Sequence, residues 1–216
     1  MNVDTLIHQY FPDAGNLCIE MFDEKNIQQV YRRLVEVLIN QPEVETSLLQ
    51  GMSYCFYEVM DNVLIHSGKN VGIVITDYSE LQSLIRILVA DDGMGIRQSL
   101  SLNSEFSDID EPQALKYCIR DNVTDGKGMG FGLYSISRLI NTAGHRLIIR
   151  SGKHTLTANG DIVVTESEPW EGTIVYFELR SNMDIDAASV VDHRTDPAEE
   201  FDIIFMDDNP ELEKLW

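Results

Sequence analysis

The stretch GKGMGFGL, residues 126–133, places four glycines at alternate positions directly before a helical pattern that runs to about Thr142. Glycines let backbone N–H groups converge on phosphate oxygens, and the N-terminus of a following helix attracts anions. Such a dense run costs conformational entropy on folding, so we expect a ligand or a close contact to require it. It is not a P-loop, because neither Gly-Lys-Ser nor Gly-Lys-Thr follows. Alone, the stretch fits a phosphate site and a structural turn equally well.

Upstream of this stretch, an apolar strand at residues 84–90 leads into DDGMGI, residues 91–96. The two glycines after the acids allow a sharp turn and a close approach to a flat ligand. The Asp91 carboxylate accepts hydrogen bonds and could receive an adenine amino group. By itself, however, this pattern is common in ordinary turns.

Two further patterns lie before and after the stretches at 91–96 and 126–133. EVMDN, residues 58–62, lies in a predicted helix at 45–67, and its Glu58 and Asn62 share one face because they are four residues apart. An amide oxygen suits Mg²⁺, and a nearby carboxylate can polarise a water molecule. A Gly-Thr pair at 172–173 opens an alternating strand that ends at Leu179. Either pattern alone would be a solvated helix face or an ordinary strand.

The remaining elements are segregated along the chain instead of alternating strictly. Helices are predicted at 26–40 and from about Asp110, a polar loop at 97–110, and further strands at 71–77, 146–151 and 161–165, with a hairpin turn at Asn159-Gly160. This order predicts an α+β fold, an α/β sandwich with a mixed, mostly antiparallel sheet and helices on one face. It disfavours a Rossmann fold, which needs successive βαβ units.

Taken together and in this order, the four motifs resemble the GHKL superfamily of ATPases and kinases, which share the Bergerat ATP-binding fold. The resemblance covers roughly residues 15–180. Within the superfamily, YEVMDNVLIHSG at 57–68 and VTD at 123–125 look closest to the anti-sigma-factor serine kinases and to histidine-kinase-like ATP-binding domains.

The resemblance implies a set of roles for individual residues. Glu58 would act as general base, Asn62 would ligate Mg²⁺, Asp91 would bind the adenine amino group of ATP or ADP with support from Gly95, and Thr173 would close the adenine side. The rest of the nucleotide site would comprise Gly93, Ile96, Lys127, Gly128, Met129, Gly130, Phe131, Gly132 and Leu133. Of these, Met129 and Phe131 would be packing residues, and Lys127 could equally be a solvated lysine. Residues 97–127 would form a mobile lid, and His66, one turn beyond Asn62, is expected to be structural.

Charge narrows the range of partners. The chain of 216 residues carries a formal net charge of -20, so we expect direct binding neither to nucleic acid nor to an anionic membrane. Basic or neutral protein partners suit this surface, and a homodimer is possible. Three cysteines without metal-ligand spacing, and the lack of a signal-peptide pattern or long apolar run, predict a cytoplasmic protein.

The C-terminal part differs from the rest. Residues 1–180 are expected to form the ATP-binding domain, and residues 181–216 a segment with eleven acids and two bases. Within it, residues 201–206 form an apolar, strand-like run that would pack on the domain's own sheet edge or on a partner.

Two functions follow from the sequence. The first is an Mg²⁺-dependent ATPase or a protein serine/threonine kinase of the anti-sigma type, favoured by the presence of a candidate base in Glu58. The second is a non-catalytic switch, gated by ATP, that binds a protein partner, favoured by the acidic C-terminal segment.

Overall fold

The computed structural model describes residues 2–127 and 130–191. Its helices and strands are α1 (Val3–Tyr10), β1 (Cys18–Phe22), α2 (Ile27–Ile39), α3 (Thr46–His66), β2 (Gly72–Ser79), β3 (Leu84–Ala90), α4 (Gly95–Leu100), α5 (Glu111–Tyr117), α6 (Gly132–Ala143), β4 (Gly144–Asn159), β5 (Asp161–Arg180) and α7 (Ala187–Val190). Two 3-10 turns, Glu80–Gln82 and Ser104–Phe106, complete the described structure.

One sheet of five strands, in the order β1-β2-β3-β5-β4, forms the centre of the fold. All four described strand pairs are antiparallel, within the predicted mixed, mostly antiparallel class. The predicted hairpin is confirmed: Asn159 pairs with Asp161 around Gly160, whose φ of 82° suits a tight turn. The strands predicted at 161–165 and 172–179 are parts of the single long strand β5.

The helices α2, α3 and α6 cover one face of the sheet, as predicted. In α3 the buried side chains of Met52, Phe56, Val59 and Val63 recur every three or four residues and so share one face of the helix. They join one apolar core with alternate residues of the strands, which include Val74, Ile85, Ile87 and Val89. This packing fixes α3 above the central strands.

The opposite face carries a helix that the sequence analysis did not predict. Leu6, Tyr10 and Phe11 of the α1 segment are buried against the outward-facing side chains of the three central strands. Those side chains are Ile73, Ile75, Leu88, Ala90, Ile174 and Tyr176. Since α1 has only eight residues, its apolar periodicity was too short to be distinctive. The edge strand β1 was missed for the same reason, because it has five residues.

The prediction that residues 97–110 form a polar loop is wrong. The segment begins within α4, continues through a 3-10 turn and leads to α5, which starts with a capping box between Asp110 and Gln113. Apolar side chains spaced among polar ones bury the predicted lid, residues 97–127, against the core. They are Leu100, Phe106, Ala114, Leu115, Cys118 and Ile119.

The chain continues to pack beyond residue 180. The Glu45 N–H donates to the Ser181 carbonyl (2.9 Å), and the Ser47 hydroxyl donates to Asp184 (2.8 Å). Ile185 and Val190 are buried, and Gly51 leaves room for them on α3. The first part of the predicted acidic segment therefore lies on the domain. The strand-like run at 201–206 lies outside the described residues, and the domain boundary stays a prediction.

We predict that the contact of α1 with the sheet stabilises the fold. Replacing the fully buried Leu6 with Ala should lower the free energy of unfolding by about 2–5 kcal/mol, because it leaves a cavity in the apolar core between α1 and the sheet. Urea unfolding followed by circular dichroism measures this. Leu81→Ala is the control, since Leu81 is 98% exposed and its truncation should change stability by less than about 0.5 kcal/mol. Equal effects of the two substitutions would show that α1 contributes no packing.

Candidate functional site

A cavity of about 110 Å³ lies between the C-terminal half of α3, the end of β3 and the second half of β5. Eight residues of the predicted nucleotide site line it: Asn62, Asp91, Gly95, Ile96, Gly130, Gly132, Leu133 and Thr173. These residues come from four separate parts of the sequence. The fold therefore brings the four motifs to one place.

Four other predicted residues do not line this cavity. Glu58 lies beside it, against Gly132. Gly93 is packed against the Ser67 carbonyl and donates its N–H to Asp91, while Lys127 is exposed. Phe131 lies at the start of α6, where its carbonyl accepts from the Ser135 N–H. Gly128 and Met129 lie outside the described residues. The roles assigned to all of these stay predictions.

Asp91 is a buried carboxylate at the end of β3, with a residue exposure of 2%. The Gly93 N–H donates to its Oδ1 atom at 2.8 Å. Burial raises the pKa of Asp91 to about 6, against the opposing effect of hydrogen bonds from the backbone of Gly93 and Thr173. A buried carboxylate of this kind offers a hydrogen-bond acceptor to a group that enters the cavity.

The position of Asp91 depends on a close approach by β5. Gly172 has a φ of 91°, and a Cβ atom there would lie 2.3 Å from the Asp91 carbonyl and 2.6 Å from its Oδ1 atom. The Asp91 N–H donates to the Thr173 carbonyl at 2.9 Å. From the other side, the Trp170 indole N–H donates to the Asp91 carbonyl at 3.0 Å. Only glycine leaves room for this arrangement.

A second close approach joins the glycine stretch to α3. A Cβ atom at Gly132, the first residue of α6, would lie 2.8 Å from the Asn62 amide nitrogen and 3.1 Å from the Glu58 Cβ. The N-terminus of α6 therefore lies directly against the face of α3 that carries Glu58 and Asn62. Free N–H groups at a helix N-terminus favour an anion at this point.

The end of the predicted lid is tied to α3 by a group that we call the latch, formed by His66, Ser99 and Asp125. The buried Asp125 carboxylate accepts from His66 Nδ1 and from the Ser99 hydroxyl, both at 2.9 Å, and from the Lys127 N–H. Burial acts to raise the pKa of Asp125, but these hydrogen bonds outweigh it and hold the pKa below its ordinary value. His66, expected to be structural, is both a latch residue and part of the cavity wall.

The apolar walls of the cavity were not predicted from the sequence. Val59 and Val63 line it from α3, and Val89 and Val175, which are paired across β3 and β5, line it from the sheet. Val59, Asn62, Val63 and His66 follow helical spacing, so the period of the helix could have identified one wall. The pairing of Val89 with Val175 depends on strand order, which the sequence did not determine.

The raised pKa of Asp91 predicts a pH-dependent cost in stability. Its folded pKa of about 6 lies above the ordinary value of 3.8, so the folded state loses stability as pH rises from 3.8 to about 6. Asp91→Asn removes this loss and keeps an acceptor for Gly93. We expect the variant to gain up to about 3 kcal/mol over the parent between pH 4 and pH 8 in urea unfolding.

The matched control is Asp13→Asn, because Asp13 is exposed. If the difference in stability between Asp91→Asn and the parent changes with pH no more than the difference between Asp13→Asn and the parent, Asp91 is not buried as a charged group.

A comparison with known protein families matches the part of the chain that surrounds the first cavity. The family model of the histidine kinase-, DNA gyrase B- and HSP90-like ATPases (HATPase_c) matches residues 49–183, which is more than half of the chain. A comparison with curated proteins found no significant match. In residues 2–127 and 130–191, no helix has the length and apolar character needed to cross a membrane. The matched range includes the whole cavity and all four motifs, and the chain belongs to the histidine kinase-, DNA gyrase B- and HSP90-like ATPase family.

Proposed function

We propose that this ATP-binding chain requires Mg²⁺ and transfers the γ-phosphate of ATP to water or to a protein serine or threonine. Family membership supports ATP binding in a regulatory protein. The observation that carries the finer proposal is the contact of Gly132 with Glu58 and Asn62. This contact holds a carboxylate and an amide at the point where a helix N-terminus favours phosphate.

The residues present fit an adenine nucleotide. The buried Asp91 carboxylate would accept a hydrogen bond from the adenine amino group, with Thr173 and the apolar wall of Val89 and Val175 around the ring. The backbone at Gly130 and Gly132 would hold the phosphates at the start of α6. Gly128 is predicted to take part but lies outside the described residues.

The side chains of Asn62 and Glu58 would supply the chemistry. The Asn62 amide oxygen would be a protein ligand of Mg²⁺, which commonly keeps several water and phosphate ligands beside one or two from protein. When bound, the ion neutralises charge on the phosphates. The Glu58 carboxylate would accept the proton of the attacking water or hydroxyl.

The alternative function is a switch that binds ATP without turnover. The latch favours it, since Asp125 in the predicted lid contacts His66, one turn along α3 from Asn62. A nucleotide bound at Asn62 would therefore act on the element that holds the lid. A partner protein could then detect the lid position.

The proposed partner is a protein with a basic or neutral surface, because the net charge of -20 repels polyanions. A homodimer and a cytoplasmic location are part of the same proposal. Within the family, we propose that the chain is related to the anti-sigma-factor kinases, because residues 57–68 resemble theirs.

Two experiments separate the two functions. The first measures phosphate release from ATP by the purified chain, and the second adds candidate partner proteins together with labelled ATP. Steady release or label on a partner's serine or threonine supports the enzyme. Tight ATP binding with neither product supports the switch. Absence of ATP binding would overturn both.

We predict that Glu58→Gln lowers turnover at least about 100-fold, because it removes the general base while keeping the side-chain shape. ATP affinity, measured by titration calorimetry, should change little. Glu43→Gln is the control, because Glu43 is exposed at the surface. Full turnover in Glu58→Gln would contradict the assigned role.

A second prediction concerns Gly132. An Ala side chain there would meet the Asn62 amide at 2.8 Å and displace it, so the Mg²⁺-dependent part of ATP affinity should fall about tenfold or more. The fold should survive, because the Asn62 amide is the end of a flexible side chain and the Glu58 Cβ, at 3.1 Å, needs to move by only a few tenths of an ångström. Calorimetry with and without Mg²⁺ measures the effect.

The matched control for this variant is Gly15→Ala, since a Cβ atom at Gly15 meets nothing within 4 Å. It should bind ATP as the parent does. If Gly132→Ala also binds as the parent does with Mg²⁺, Asn62 does not ligate the ion.

A further inference from the structure

A second and larger cavity, of about 590 Å³, lies on the opposite face of the sheet beside α1. Its wall includes Arg146, Ile148 and Arg150, which alternate along β4 and therefore share one face of the strand. Tyr10 of α1 and Trp170 of β5 close its sides.

Arg150 is a buried cation, with a residue exposure of 7%. Its guanidinium donates to the Glu168 carbonyl and to the Gln9 side chain, which are both neutral acceptors. Among residues 2–127 and 130–191, no carboxylate lies within ion-pair distance of it. Because a buried charge is costly unless it is paired, an anion in the cavity would complete this site.

Arg146 adds a second guanidinium at the same wall. One of its nitrogens, Nη2, donates to Glu178 at 2.7 Å, but its buried Nε atom has no acceptor in the described part of the chain. The Glu168 side chain is exposed at the cavity wall, and it forms no ion pair with either arginine among the described contacts. The wall itself carries two arginines against one carboxylate, Glu168, and Glu178 pairs with Arg146, so Arg150 is the cation that lacks an ion-pair partner among the described residues.

The rest of the wall suits an apolar group. Ile148 and Trp170 pack against the core beneath α1, and Pro169 lies next to them in the wall. A ligand that matches both features has a carboxylate or phosphate group joined to an apolar or aromatic body. Arg150 Nη1 and Nη2 each have one N–H left beside the bonds described above, and these groups and the Arg146 Nε–H would donate to either oxyanion.

We propose that this cavity binds a small organic oxyanion through Arg146 and Arg150, and that its occupancy alters nucleotide binding through Trp170. The indole of Trp170 lines the cavity and also donates to the Asp91 carbonyl, so one side chain contacts both sites. The coupling rests on the proposed nucleotide site, whereas the anion site does not. Since the net charge of -20 opposes anions at long range, binding depends on these local contacts.

The test uses Trp170 as the reporter in the full chain. The chain has two tryptophans, so Trp216→Phe leaves Trp170 as the sole indole. Phenyl phosphate and benzoate are titrated in the presence of saturating ADP, with neutral benzamide and inorganic phosphate as comparisons. We expect saturable changes in fluorescence with both aromatic anions, a weaker response to inorganic phosphate and none to benzamide.

Two variants test the site without removing the Arg150 contacts. Arg146→Gln removes one cation, and Thr155→Glu adds a carboxylate to the cavity wall. Each should weaken phenyl phosphate binding at least about tenfold, with thermal unfolding as the check that the variants fold. Equal responses to benzamide and benzoate, or unchanged affinity in a folded variant, would overturn the site.

The coupling has a separate readout. ADP affinity is measured with and without saturating phenyl phosphate, and a reproducible change supports the link through Trp170. An unchanged ADP affinity would overturn the coupling and leave the anion site standing. If ADP does not bind while the aromatic anions do, the proposed nucleotide function fails and the anion site survives.

Discussion

The backbone of β5 lies against the end of β3 at Gly172, and the two cavities described above lie on either side of that contact. A side chain at this position would overlap the Asp91 carbonyl, so the contact exists only because residue 172 is glycine. It places Asp91 and Thr173 in the wall of the first cavity. Two residues earlier, Trp170 faces the second cavity and donates to the same Asp91 carbonyl.

A buried charge lies on each side of this contact. Asp91 carries a carboxylate and Arg150 a guanidinium, and neither has an ion-pair partner among residues 2–127 and 130–191. Such groups cost stability, and a packed apolar residue would be more stable at either position. Protein folds tolerate this cost where binding requires the group. The two buried charges therefore support the proposals that the two cavities bind ligands.

The predicted lid combines apolar burial with a polar latch. Leu100, Ala114 and Leu115 bury their side chains in the core, while Asp125 holds the end of the segment to His66. Opening of such a segment would break its buried contacts together. The latch lies next to the cavity, because His66 belongs to the cavity wall and contacts Asp125 of the predicted lid.

Local patterns in the sequence determined most of the elements and the membership of the site. Helical spacing predicted α2 and α3, strand-like apolar runs predicted β2 and β3, and the four motifs predicted eight residues that line the first cavity. Short elements such as α1 and β1 were missed, since eight and five residues give too little periodicity. Residues 97–110 were wrongly predicted to be a polar loop, because their buried apolar residues are interspersed with polar ones.

The tertiary structure alone decided the contacts between distant segments. The pairing of Val89 with Val175, the latch from His66 to Asp125, and the indole hydrogen bond from Trp170 to Asp91 all join residues far apart in the chain. Sequence periodicity reports which face of an element is buried, but not which other element covers it. Strand order and helix placement fix those partners, and with them the burial of Asp91 and Arg150 that gives each cavity its chemistry.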